Sequence, residues 1–329
     1  MEQAFPHLRT GAAPFVGMIL LAFGCTGTMI GNGDPMAMDP LPDVDAGPPP
    51  ATADGGDAVP QEPVFDEEGM HFTHVISYLS TGKQTVEAPG PDLVPGANLD
   101  GKGTGECMHD DYRSYPPEKE DGVDNQVFRM ETTLALLQLD LEALLQKAVL
   151  DGDVLILVEL LGVDDLTTDD NVTIELYQAR TSTGGAPTVT DAAPKRINPD
   201  QTFDVVDTAP ATYLSRSTGR IVDGRFEARG IDVTLEVPTQ GKVLALQIED
   251  GVIRFDMREA TLERGILAGA LNVDALVKEA LQFTTLPEET VRAVLKKFAD
   301  LSGAAPCDAI SVGLDFEGAP AVRGNTVAP

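Results

Sequence analysis

The residues best suited to chemistry lie in one acidic stretch. It reads Leu99-Asp-Gly-Lys-Gly-Thr-Gly-Glu-Cys-Met-His-Asp-Asp-Tyr112, followed by Pro117-Glu-Lys-Glu-Asp-Gly-Val-Asp-Asn125. Calcium takes six to eight oxygen ligands from carboxylates, amides and carbonyls, usually in a loop kinked at glycine. Asp100, Asp110, Asp111, Asp121, Asp124 and Asn125 supply that chemistry. The spacing is not that of an EF-hand, because Lys119 stands two residues before the Asp121-Gly122 pair. The competing reading, which this spacing favours, is a solvated acidic loop. Cys107 and a helix cap at Asp124 or Asn125 would pin it.

Other constellations carry less. His71 and His74 sit three apart, and on a strand such positions face opposite sides, which argues against a shared zinc. Ser80-Thr-Gly-Lys83 matches the Ser-x-x-Lys nucleophile pattern but lacks a following helix and the partner motifs, so it reads as a turn after a strand. Asp207-Thr-Ala209 is half of an aspartic-protease signature with no second half. No Gly-x-Ser-x-Gly, P-loop or dinucleotide fingerprint occurs.

The elements that must position these residues are mostly strands. His71–Tyr78 reads as a strand, and a Gly-, Pro- and Asp-rich region follows from Ser80 to about Asp124. Val127–Leu150 reads as one long helix. Leu134, Leu137, Leu141, Leu144 and Leu145 form its apolar face, and Asp151-Gly152 ends it. Val154–Leu161 is an apolar run expected to be a buried strand. Val172–Tyr177, Arg220–Ala228, Val233–Val237 and Val243–Ile248 alternate as strands do. Glu249-Asp-Gly251 is expected to turn a hairpin into Val252–Met257, and Ala260–Leu271 to add another strand. Val273–Phe283 and Pro287–Leu301 read as helices, the second behind a capping box at Thr285-Leu-Pro-Glu288. Cys307–Phe316 is the last strand. The fold class expected is α+β and β-rich: an antiparallel sheet or sandwich, one long helix before it and two helices near the C-terminus.

Upstream, Gly11–Gly24 is an apolar stretch ending at Cys25. It has the length of a signal-peptide core, about 7–15 residues, and is too short to span a bilayer. Leu21-Ala-Phe-Gly-Cys25 resembles a lipoprotein lipobox, although Ala22 and Phe23 depart from the strongest consensus. Ala22-x-Gly24 also fits ordinary signal cleavage before Cys25. Thr26 is not the Asp that retains lipoproteins at the inner membrane. The organisation expected is therefore a signal peptide over 1–24, a tether over 25–70 and one globular domain over 71–329. The tether carries ten acids and no Lys or Arg between Thr26 and Met70, with dense Pro and Gly, and should remain extended.

The cysteines fit export. There are three, and lipid on Cys25 would leave Cys107 and Cys307 as an even pair, either bridged or buried as free thiols. The whole chain of 329 residues has 53 Asp+Glu against 23 Lys+Arg, a formal charge of −30. That excludes nucleic acid as a partner, because phosphate contacts need a basic face. The absence of Trp and the 5 % aromatic content disfavour stacking platforms for bases or sugars.

Two segments resemble those of uncharacterised exported proteins, often predicted lipoproteins, of Gram-negative bacteria. One runs from Leu99-Asp-Gly through Cys107 and Asp111 to Asp121-Gly-Val-Asp-Asn-Gln126; the other is Cys307-Asp-Ala-Ile-Ser-Val-Gly-Leu-Asp-Phe316. The resemblance implies export and a Cys107–Cys307 bridge, and nothing catalytic. The first expectation is thus a non-enzymatic lipoprotein of the cell envelope with a binding or structural role. It would be held at the outer membrane through Cys25, or else be periplasmic or secreted. The alternatives are a calcium-stabilised extracytoplasmic binding module and a hydrolase with an unrecognised site.

Overall fold

The computed structural model describes residues 65–82, 93–101, 107, 109, 112–114, 120–136, 140–208, 210–258, 261–303 and 305–329, with the side chains at 132, 135 and 136 left aside. The expected signal peptide, Cys25 and residues 25–64 of the tether lie outside this set, as do Asp110, Asp111 and Leu137.

In chain order the elements are β1 (Met70–Ser80), β2 (Tyr112–Arg113), β3 (Asp121–Val123), α1 (Gln126–Leu136), α2 (Leu141–Asp151), β4 (Ile156–Val163), β5 (Thr168–Thr181), β6 (Gln201–Val206), β7 (Ser215–Val222), β8 (Arg225–Thr239), β9 (Lys242–Arg258), β10 (Thr261–Asn272), α3 (Val273–Ala280), α4 (Glu288–Leu295) and β11 (Ala309–Val327). Nine of the strands form one sheet in the order β1-β4-β5-β6-β11-β10-β9-β8-β7. Two further pairings, β1 with β11 and β5 with β7, make it close on itself. Followed around, β1, β4, β5, β7, β8, β9, β10 and β11 form a circuit of antiparallel pairs, and closure of this kind leaves no open edge in the circuit. β6 stands outside the circuit. It pairs antiparallel with Ala179–Thr181 of β5 and parallel with Ala321–Val327 of β11.

The expected α+β class with an antiparallel sheet or sandwich is therefore corrected. The protein is sheet-dominated, and the sheet is mixed because β6 runs parallel to the end of β11. The expected long helix is corrected too. Among the described residues there are four short helices, and the apolar face read as continuous is divided between α1 and α2. The physical reason is Asp140. Its backbone is extended and its carboxylate accepts the Ala143 N–H at 3.2 Å, so it caps a new helix inside the periodic run. The end of that run is as read, with Gly152 in the left-handed region at φ 84°.

Three local readings change as well. Arg220–Ala228 is a hairpin, with Asp223 and Gly224 at φ 51° and 77° forming the turn between β7 and β8. Glu249-Asp-Gly251 does not turn the chain. It lies within β9 at a register shift, with Asp250 N donating to Asp232 Oδ1 at 2.9 Å. The capping box before α4 does not form; Pro287 holds the cap position without a side-chain bond, and Thr284 Oγ1 instead accepts the Leu286 N–H.

The core follows from the pairing. Directly opposite residues share a face, and β8 alternates buried Phe226, Ala228, Val233, Leu235 and Val237 against Phe255, Ile253, Ile248, Leu246 and Leu244 of β9. Phe226 stacks on Phe255 at 4.9 Å between ring centroids, and Phe255 meets Phe316 edge-on at 6.0 Å. On the opposite face, Ala97 and Leu99 of the acidic region cover Val252, Ile266 and Ala268.

Candidate functional site

The acidic region is joined to the sheet by its polar residues. Asn125, fully buried, donates through Nδ2 to the carbonyls of Pro95 at 2.7 Å and Gly313 at 3.1 Å. Its Oδ1 accepts the Phe128 N–H and so caps α1. The next backbone N–H, of Gln126, donates to Ser311 Oγ at 2.8 Å. Ser311 in turn donates its hydroxyl and its backbone N–H to the buried carboxylate of Asp300. The loop approaches β11 closely at Gly313, where an added Cβ would stand 2.3 Å from the Pro95 carbonyl oxygen. The two short segments that stand out in the sequence are thus one packed unit.

Asp124 faces inward beside them. Its Oδ2 accepts the backbone N–H of Leu99 at 2.7 Å and of Asp100 at 3.4 Å. Burial pushes its carboxyl up to about 7, and the Asp100 and Asp300 carboxylates add to the rise against the pull of the Leu99 bond. Glu120 takes two guanidinium bonds from the buried Arg254 of β9, at 2.5 and 3.2 Å. Burial opposes its ionisation, but those bonds and the Arg254 charge hold it below the usual glutamate range. Cys107 is disulfide-bonded to Cys307, with Cα atoms 5.7 Å apart across 200 residues of chain.

Of the six residues proposed to bind calcium, Asp110 and Asp111 lie outside the described residues. Asp100 is half-buried and donates its backbone N–H to Asp124, Asp121 is exposed on β3, Asn125 holds carbonyls and a helix end, and Asp124 holds backbone donors. Among the described residues, no group of three or more His, Cys, Asp or Glu side chains is placed to hold a metal ion.

A second ionisable cluster escaped the sequence reading. Thr73, Glu159, Glu175 and Arg216 stand in register across β1, β4, β5 and β7. Two buried glutamates facing each other would repel, and each has its own arginine. Arg323 binds Glu159 at 2.6 Å and lies over the Tyr177 ring; Arg216 pairs with Glu175 at 2.9 Å. The Tyr177 hydroxyl links the halves by donating to Glu175, and burial with that bond raises its pKa above the ordinary tyrosine value. Arg216 also binds Glu67 at 2.6 Å and lies 4.0 Å over Phe65. Of the tether expected over 25–70, Phe65 and Glu67 therefore lie against this face, and Met70 already belongs to β1. The signal available in the sequence was Glu159, a lone acid inside an apolar run.

A depression of about 570 Å³ forms an open polar trough beside Asp153, Arg180, Ser182 and Asp204. The groups with strongly shifted pKa values, His74, Asp124 and Tyr177, line none of it. Comparison with protein-family models, with curated proteins and with solved structures finds no match.

Proposed function

We propose that this chain is an exported envelope protein, anchored at the outer membrane through lipid on Cys25, whose closed-sheet domain has a binding or structural role and carries no reaction of its own. The observation that supports it best is the Cys107–Cys307 bond. Disulfides persist in oxidising compartments, and this pairing leaves Cys25 as the odd cysteine, at the end of an apolar stretch of signal-peptide length. The acidic region supports the structural half of the reading, because its buried polar groups hold loop to sheet. The polar trough beside Asp204 lends no support to the hydrolase alternative, because His74, Asp124 and Tyr177 do not line it.

The test is fatty-acid labelling of the full chain expressed in a Gram-negative host, beside Cys25→Ala. The expected result is a labelled mature protein beginning at Cys25 in the outer-membrane fraction, with the label lost in the variant. An uncleaved, unlabelled cytoplasmic chain with free thiols at Cys107 and Cys307 would overturn the proposal.

A further inference from the structure

His74 lies on the inner face of the sheet. It stands directly opposite Val158 of β4 and Pro320 of β11, and it shares that face with Phe72 and Ile76. With Phe72, Leu166, Met257, Arg258 and Thr261 it lines a small cavity of about 10 Å³. Such a space holds about one water at most, so a charged ring there could not be hydrated. His74 is 4 % exposed, and its Nδ1 forms no hydrogen bond. Among the described residues, the elements around it present no counter-charge: β4, β11 and the β4–β5 turn present Val158, Pro320 and Leu166. The charge presented where β9 meets β10 is Arg258, a cation, whose own ion pair is with Glu263 at 3.3 Å.

We propose that His74 is an acid-sensitive latch for the end of the sheet where β1 enters: neutral, it packs as an apolar side chain, and protonated, it loosens β1 from its neighbours. Burial alone brings its pKa down to about 4 from 6.5. A histidine depressed in this way stabilises the closed form fully above pH 6.5 and loses that contribution as the pH falls toward 4. The opening is local because β1 begins at Met70, and the segment before it is held separately, by Arg216 to Glu67 and by Asp66 N to Thr173 Oγ1. Acidification would thus free the first turns of β1 while leaving the β8–β9 pairing intact. The proposal stands apart from the question of export.

The experiment is hydrogen exchange on the full, oxidised chain at pH 7 and pH 4.5, corrected for intrinsic rates. Residues 70–76 and 157–162 should lose protection on the order of tenfold at the lower pH, while residues 226–237 keep theirs. His74→Leu should remove the difference. An equal loss in His74→Leu, or a uniform loss over the whole sheet, overturns the proposal. Should that variant not fold, the imidazole of the wild-type chain is titrated by NMR. A ring that stays neutral to below pH 5 and charges together with the amide changes supports the latch; one that titrates near 6.5 with β1 unmoved overturns it.

Discussion

Asn125 Nδ2 donates to the carbonyl oxygen of Gly313 across 188 residues of chain. The same amide group holds Pro95, and the same side chain caps α1. One buried residue thereby joins the acidic loop, the first helix and the longest strand. Asn125→Asp keeps the cap oxygen but presents an acceptor to two carbonyls. The expected cost is about 2–4 kcal/mol, from lost bonds and buried acceptors left without donors. The urea midpoint measures it, and a loss below about 0.5 kcal/mol would show that the contact is incidental.

Gly313→Ala tests the close approach from the other side. A methyl group cannot fit 2.3 Å from the Pro95 oxygen, so the loop must lift. About 1–3 kcal/mol of stability should be lost, with faster proteolysis near residues 93–101. An unchanged cleavage rate would mean that the loop adapts freely.

The disulfide constrains the unfolded chain over a separation of 200 residues, worth about 5 kcal/mol in the chain-entropy account. Reduction should therefore lower the urea midpoint substantially, and replacing both Cys107 and Cys307 with Ser should reproduce the loss. Equal stability of the oxidised and reduced chains would show that the bond closes nothing the packing does not already hold.

The pH dependence of Asp124 runs opposite to that of His74. A carboxyl raised to about 7 holds its proton in the folded chain where the unfolded chain, near 3.8, has released it. Its contribution is complete below about pH 4 and is lost as the pH rises through 7, on the order of a few kcal/mol. Asp124→Asn should flatten the stability profile between pH 5 and 8, read as melting temperature at each pH. The same slope in variant and wild type would assign the dependence to other groups.

How far these relationships could be read in advance depends on their range. β1, β4 and the Gly152 helix end were legible, because alternation, an apolar run and a terminal glycine are local signals. The Asp223-Gly224 turn is present in the residue types, but the alternation on both sides of it reads as one strand. Glu249-Asp-Gly251 has turn composition but sits in a strand whose two neighbours, β8 and β10, absorb the irregularity. Periodicity could not reveal the break at Asp140, since two helices in line carry the same apolar spacing as one. In the site, the acidic loop stood out and its carboxylates suggested an ion; that Asn125 and Asp124 face backbone groups depends on β11, far along the chain. Glu159 and Glu175 acquire meaning only through the β4–β5 register.

That register gives a further expectation. Arg323→Leu should leave Glu159 buried beside Glu175 without its cation, costing about 3–5 kcal/mol. Adding Glu159→Gln should restore much of the loss. A double variant no better than the single one would place the effect of Arg323 in its packing on Tyr177.

The most direct test of the loop as a clamp is a thermal melt of the full, oxidised chain in calcium and then in EDTA, beside Asn125→Asp. If the loop acts only as a clamp, the melting temperature is the same in both buffers and drops clearly in the variant. A saturated calcium site would instead add about 2.7 kcal/mol at a hundred times its Kd, a rise of several degrees. Such a rise, abolished by Asp124→Asn, would contradict the clamp and make the acidic loop an ion site.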